Sequence, residues 1–84
     1  MTIKNHIINY LKYLEQSDIF VFYTSDIQNL SERSEKVFGR RLGSPSTYER
    51  VFRQLRQDGK VKVSKGRNKN KRESGWFLRK VIND

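Results

Sequence analysis

Gly43-Ser44-Pro45-Ser46-Thr47-Tyr48-Glu49-Arg50-Val51-Phe52-Arg53-Gln54-Leu55-Arg56-Gln57-Asp58-Gly59 reads as one complete helix with its start and stop written in. Ser44 offers a hydroxyl to the first free backbone amides, and Pro45 has the fixed φ that suits the first helical position. Gly59 can take the left-handed conformation that ends a helix. Between those marks Tyr48, Val51, Phe52 and Leu55 recur at i, i+3, i+4 and i+7, which places them on one apolar stripe. The opposite face carries Ser46, Arg50, Arg53 and Gln57, with Thr47 and Gln54 on one shoulder and Glu49 and Arg56 on the other. Taken alone, such a face is equally that of a charged surface helix or of one that meets a polyanion.

Downstream of Gly59 the period changes from that of a helix to that of a strand. Lys60-Val61-Lys62-Val63-Ser64-Lys65 alternates basic or polar with apolar, as a strand with one wet face does. Gly75-Trp76-Phe77-Leu78-Arg79-Lys80-Val81 reads as the returning strand. Gly66-Arg67-Asn68-Lys69-Asn70-Lys71-Arg72-Glu73-Ser74 joins them without an apolar residue and with Glu73 as its only acid. A tip of this composition is expected to be solvated when free and to lie along a phosphate backbone when one is bound. Strand alternation puts Trp76 with Leu78 on one face and Phe77 with Arg79 on the other. Trp76 then either closes the core under the hairpin or stands beside the basic tip as a stacking platform.

Upstream, Thr2 to about Gln16 forms a first helix in which Thr2 is the cap and Ile3, Ile7, Tyr10, Leu11 and Leu14 share a face. Ile8 and Tyr13 lie off that stripe, either covering the sides of the core or marking a partner surface. His6, without a second histidine or a cysteine at ligand spacing, is expected on the surface rather than at a metal. Ile19-Phe20-Val21-Phe22-Tyr23 is a β-branched and aromatic run that suits a short strand. Thr24 or Ser25 is expected to cap a second helix, with Asp26 in its first turn and Ile27 and Leu30 inward. Two readings stay open for the stretch that follows: one helix from Asp26 to about Gly39, or a short helix, a loop and a further turn. Arg40 and Arg41 stand just before Ser44, placed for a phosphate or for helix-end carbonyls.

The chain has 84 residues, no cysteine and a formal charge of +9. That length admits one small core, and the absence of cysteine removes disulfides and thiolate metal sites. No apolar run is long enough to span a bilayer, and the amino terminus does not read as a signal peptide. The charge is polarised. Residues 1–38 carry four Lys or Arg against five acids, a net −1, and residues 39–84 carry fourteen against four, a net +10. A generally basic surface would spread its lysines, whereas here they gather around one helix and one hairpin. The acids are scattered, and no glycine-rich phosphate loop precedes a Lys-Ser or Lys-Thr pair, so the residues read as a binding module and not an enzyme.

Helix, short strand, helix, capped basic helix and a β-hairpin with a basic tip is the element order of a winged helix-turn-helix domain, which the chain resembles over nearly its whole length. In those terms residues 1–84 are one domain, with a first helix at 1–16, a short strand at 19–23, a second helix region at 25–39, a recognition helix at 44–58 and a hairpin wing at 60–81. The Z-form-DNA binders are similar in a wing that ends in tryptophan. Their helix carries an asparagine and a tyrosine four residues apart, where this chain has Glu49 and Arg53, so it departs from that subfamily. The resemblance implies an α+β fold and sequence-specific binding of double-stranded DNA by a small transcriptional regulator. It places the recognition helix in the major groove. Ser46, Thr47, Arg50 and Gln54 would face base edges, and Arg53, Gln57, Arg40 and Arg41 would contact phosphates. Lys65, Arg67, Asn68, Lys69, Lys71 and Arg72 of the wing, with Asn70, would follow the backbone or enter the minor groove. The partners implied are duplex DNA and, for a palindromic site, a second copy of the chain, in the cytoplasm or on the nucleoid. No cofactor, metal or membrane is called for. A less selective DNA or RNA binder in replication or packaging, and a protein-interaction domain with an acidic partner, are the alternatives.

Overall fold

Three helices and three strands account for most of residues 2–66 and 75–82, which the computed structural model describes. The order is α1 (Ile3–Gln16), β1 (Val21–Tyr23), α2 (Thr24–Phe38), α3 (Pro45–Gln57), β2 (Val61–Gly66) and β3 (Gly75–Val81). The strands form one antiparallel sheet in the order β1-β3-β2, so the architecture is α+β. Among the described residues no helix is long and apolar enough to cross a membrane.

The caps explain where the helices begin and end. The Thr2 hydroxyl accepts from the amide of Asn5 at 3.1 Å, and Ser44 accepts from that of Thr47 at 3.2 Å with Pro45 beside it. At the far end of α3 the Lys60 amide donates to Leu55 and the Gly59 amide to Arg56, with Gly59 at φ +73. This is the Schellman arrangement, for which a residue with a Cβ is poorly suited. The second helix starts earlier than its sequence predicts. Neither Thr24 nor Ser25 is the cap; Tyr23 is, and its amide donates to the Asp26 carboxylate at 2.8 Å. The helix then runs unbroken to a left-handed Gly39, settling the two readings in favour of a single helix.

Alternating apolar residues make the sheet, with two departures. The first strand is Val21–Tyr23, shorter than the 19–23 expected, and Ile19 and Phe20 stay exposed ahead of it. In the hairpin Lys62 pairs with Lys80 and Val63 with Leu78, so Arg79 is an extra residue on β3. This bulge returns Val81 to the inner face three positions after Leu78, where strict alternation would have sent it outward.

The core draws on every element. Ile7, Leu11 and Leu14 of α1, Phe22 of β1, and Ile27 and Leu30 of α2 meet Tyr48, Phe52 and Leu55 of α3. Val61, Leu78 and Val81 close it from the sheet. Ile8 packs partly against this cluster, whereas Tyr13 stays 62% exposed, which divides the pair that lay off the stripe. His6 corrects the surface expectation: it is buried, its Nδ1 lies 2.7 Å from the Tyr48 hydroxyl, and its ring meets Phe38 edge-on at 5.0 Å. Two polar residues of α2, Ser31 and Ser34, are fully buried as well.

Candidate nucleic-acid interface

Ser31 and Ser34 set the angle at which α3 is presented. Ser31 donates its hydroxyl to the carbonyl of Gly43, and Ser34 donates to the carbonyl of Ser31 at 2.7 Å. The Ser34 oxygen also accepts the amide of Leu42 at 3.0 Å. The connection from α2 to α3 is thus bonded back onto α2 through its own backbone, which holds the start of α3 against the preceding helix. A side-chain bond from Gln28 to Glu49, 3.0 Å long, ties the two helices again one turn further along.

Held this way, α3 turns Ser46, Arg50, Arg53, Gln54 and Gln57 outward, all of them exposed, and keeps Tyr48, Phe52 and Leu55 inward. Several outward groups already have partners. Arg53 lies 4.0 Å from Glu49, and Gln54 donates to Asp58 at 3.0 Å. Thr47 is half-buried, with its hydroxyl 2.9 Å from that of Ser44, so it belongs to the helix cap as much as to the face. Arg50 has no ion-pair or hydrogen-bond partner among the described residues. Of the two exposed arginines of α3, it is the one without a carboxylate within 4.0 Å.

Arg40 and Arg41 are exposed in the turn ahead of α3. Arg41 leans toward Glu35 at 4.0 Å, a surface pair too weak to fix it. Lys65 is exposed on β2, opposite Trp76 on β3. Arg67, Asn68, Lys69, Asn70, Lys71 and Arg72 lie outside the described residues.

Arg56 behaves differently from the other arginines of α3. Its guanidinium carbon sits 4.9 Å from the ring centre of Phe52 and 4.4 Å from that of Trp76. Burial lowers its pKa, the charge of Arg53 lowers it further, and Glu49 works the other way. It is a packing residue with a charge, as long arginine stems allow. Trp76 is half-buried between them. It meets Phe52 edge-on at 5.7 Å and donates its indole N–H to Thr24 at 3.0 Å. The tryptophan therefore closes the core beneath the hairpin, as its pairing with Leu78 favours.

Sequence reasoning passed over three basic residues that the sheet displays and one just ahead of it. Lys62 and Lys80 stand directly opposite each other, both exposed, and Arg79 donates to Ser64 at 3.0 Å beside them. Lys60 precedes the pair. Two lysines at one register position repel, and only the register reveals the pairing. Among the described residues no group of three or more His, Asp or Glu is placed to hold a metal ion. No protein-family model, characterised protein or solved structure matches the chain.

Proposed function

We propose that the chain is a winged helix-turn-helix domain that binds double-stranded DNA sequence-specifically, as a small transcriptional regulator. The observation that carries this reading is the division of α3 between a buried Tyr48-Phe52-Leu55 stripe and an exposed Ser46-Arg50-Arg53-Gln54-Gln57 face. That face belongs to the half of the chain with all of its excess positive charge. A helix of this kind fits the major groove, where arginine pairs bidentately with guanine and glutamine with adenine. Arg50, being uncompensated, is the leading base reader, with Gln54 and Ser46 beside it. Arg53, Gln57, Arg40 and Arg41 are assigned to phosphates, and Lys65 leads into the wing. The reading is of a binding module without catalysis, working as a symmetric dimer where the site is palindromic.

Selection from random duplex DNA tests this directly. A recurrent motif is expected, bound about a thousandfold more tightly than a scrambled duplex at the same salt. Arg50→Ala should cost about 1–3 kcal/mol on the selected site and much less on the scrambled one. Equal losses on both would remove Arg50 from base reading. Steep salt dependence on every duplex without any motif would leave a general nucleic-acid binder instead.

A further inference from the structure

An open groove of about 560 Å³ runs between α1 and α2, on a part of the molecule that the nucleic-acid reading does not use. Its volume lies within the roughly 300–1,000 Å³ of small-molecule sites. Leu30, Phe38 and Tyr10 supply apolar and aromatic walls, and His6, Asn9 and Arg33 supply polar groups. We propose that this groove binds a small aromatic carboxylate, and that α3 senses its occupancy through the His6–Tyr48 hydrogen bond.

Charge complementarity selects the occupant. Arg33 has no carboxylate within 4.0 Å among the described residues, yet it stands beside an apolar wall. Asp26 lines the adjoining smaller pocket with Arg33 and Tyr10, and its carboxylate already accepts the Tyr23 amide. An apolar groove with one uncompensated guanidinium at its side complements a flat apolar anion. A carboxylate presents the two oxygens that a guanidinium fork pairs with. The rings of Tyr10, Phe38 and His6 give an aromatic body edges and faces to meet.

Position supplies the second half of the proposal. His6 lines the groove and reaches α3 through the 2.7 Å contact with Tyr48, whose side chain is fully buried. Phe38, edge-on to His6, is the last residue of α2 before the turn that leads into α3. A ring seated against Phe38 and His6 therefore presses on both supports of α3. The site itself is independent of the nucleic-acid reading; any change in DNA affinity on occupancy rests on it.

The test is an NMR titration of the isotope-labelled full chain with 2-naphthoate, and with 2-naphthamide as its neutral counterpart, in the absence of DNA. Naphthoate should shift the signals of His6, Phe38 and Tyr48 saturably. Arg33→Gln should weaken naphthoate about tenfold or more, as loss of a charged hydrogen bond does, and leave naphthamide unchanged. In Tyr48→Phe naphthoate should still bind, while the shifts at the α3 amides collapse. Absence of a saturable response to naphthoate, equal binding of acid and amide, or indifference to Arg33→Gln each overturns the site. Groove signals that follow protein concentration instead of naphthoate would mean a second copy occupies it, and would also overturn the proposal. An undiminished α3 response in Tyr48→Phe overturns the relay. Groove shifts accompanied by unchanged affinity for a selected duplex would sever the link to DNA alone, so the two failures stay distinct.

Discussion

Nδ1 of His6 lies 2.7 Å from the Tyr48 phenol, and Arg33 stands close enough for its charge to be felt at the ring. A proton added to this imidazole is therefore desolvated first and repelled second, and both effects lower the pKa from 6.5. With the folded value depressed, the unfolded chain binds the proton more readily. The stability due to neutral His6 is complete above pH 6.5 and is lost as pH falls from there through the lowered value. Urea midpoints taken at about pH 7.5 and about pH 5 should differ more in the wild type than in His6→Gln. Equal differences would place the acid sensitivity elsewhere. Burial raises the pKa of Tyr48 in turn, so its phenol stays a neutral partner. Tyr48→Phe should cost about 1–2 kcal/mol, measured by chemical denaturation, because it leaves a buried ring nitrogen without a partner. The position of His6 was legible in principle: it lies three residues after Ile3 and four before Tyr10, at the margin of the apolar stripe. Its chemistry drew attention to metals, and no local pattern points to a phenol forty-two residues away.

At the scale of elements, α2 shows how an apolar pattern can mislead. Counting hydrophobic residues gives Ile27, Leu30, Val37 and Phe38, yet the buried positions are Ile27, Leu30, Ser31 and Ser34, while Val37 is 65% exposed. The spacing i, i+3, i+4, i+7 is kept, with serines in two of the four places. Serine can be buried there because its hydroxyl bonds to backbone, a condition set by where the next helix lies. Ser34→Ala should destabilise by about 1–3 kcal/mol, since it strands the Leu42 amide, and the loss is read from a denaturation midpoint. Ser34→Thr, which keeps the oxygen, separates the lost bond from altered packing. By contrast α3 was legible end to end, because its signals are local: Ser44, Pro45 and Gly59 act within one turn of themselves. The bulge at Arg79 was not, since it depends on a partner strand, and the Tyr23 cap was missed because it uses a backbone amide and the Asp26 carboxylate in place of a capping hydroxyl. The Lys62–Lys80 pairing carries its own expectation. Lys80→Thr should raise stability by about 0.2–1 kcal/mol in the same assay, the repulsion between opposed charges having been removed.

For the molecule as a whole, the two halves of the chain share the core and divide the charge. Each half supplies six of the twelve described core residues, yet the first carries a net −1 and the second, with α3 and the hairpin, a net +10. Under the DNA-binding reading this predicts that the lysines of the tip act through screening alone. Changing Lys69 and Lys71 together to alanine should weaken every duplex alike and reduce the slope of log K against log salt by about 2. Unequal losses between sequences would instead give the tip a share in reading bases. One feature of the interior reaches beyond stability. The chain has a single tryptophan, and Trp76 is wedged where α2, α3 and the sheet meet, hydrogen-bonded to Thr24 and covered by Arg56. Its indole is thus a native fluorophore at the junction of the fold, with a cation over one face and Lys65 across the strand. Light emitted from that one ring reports at once on whether the three elements are docked and on whether an anion has settled beside them, with no label attached.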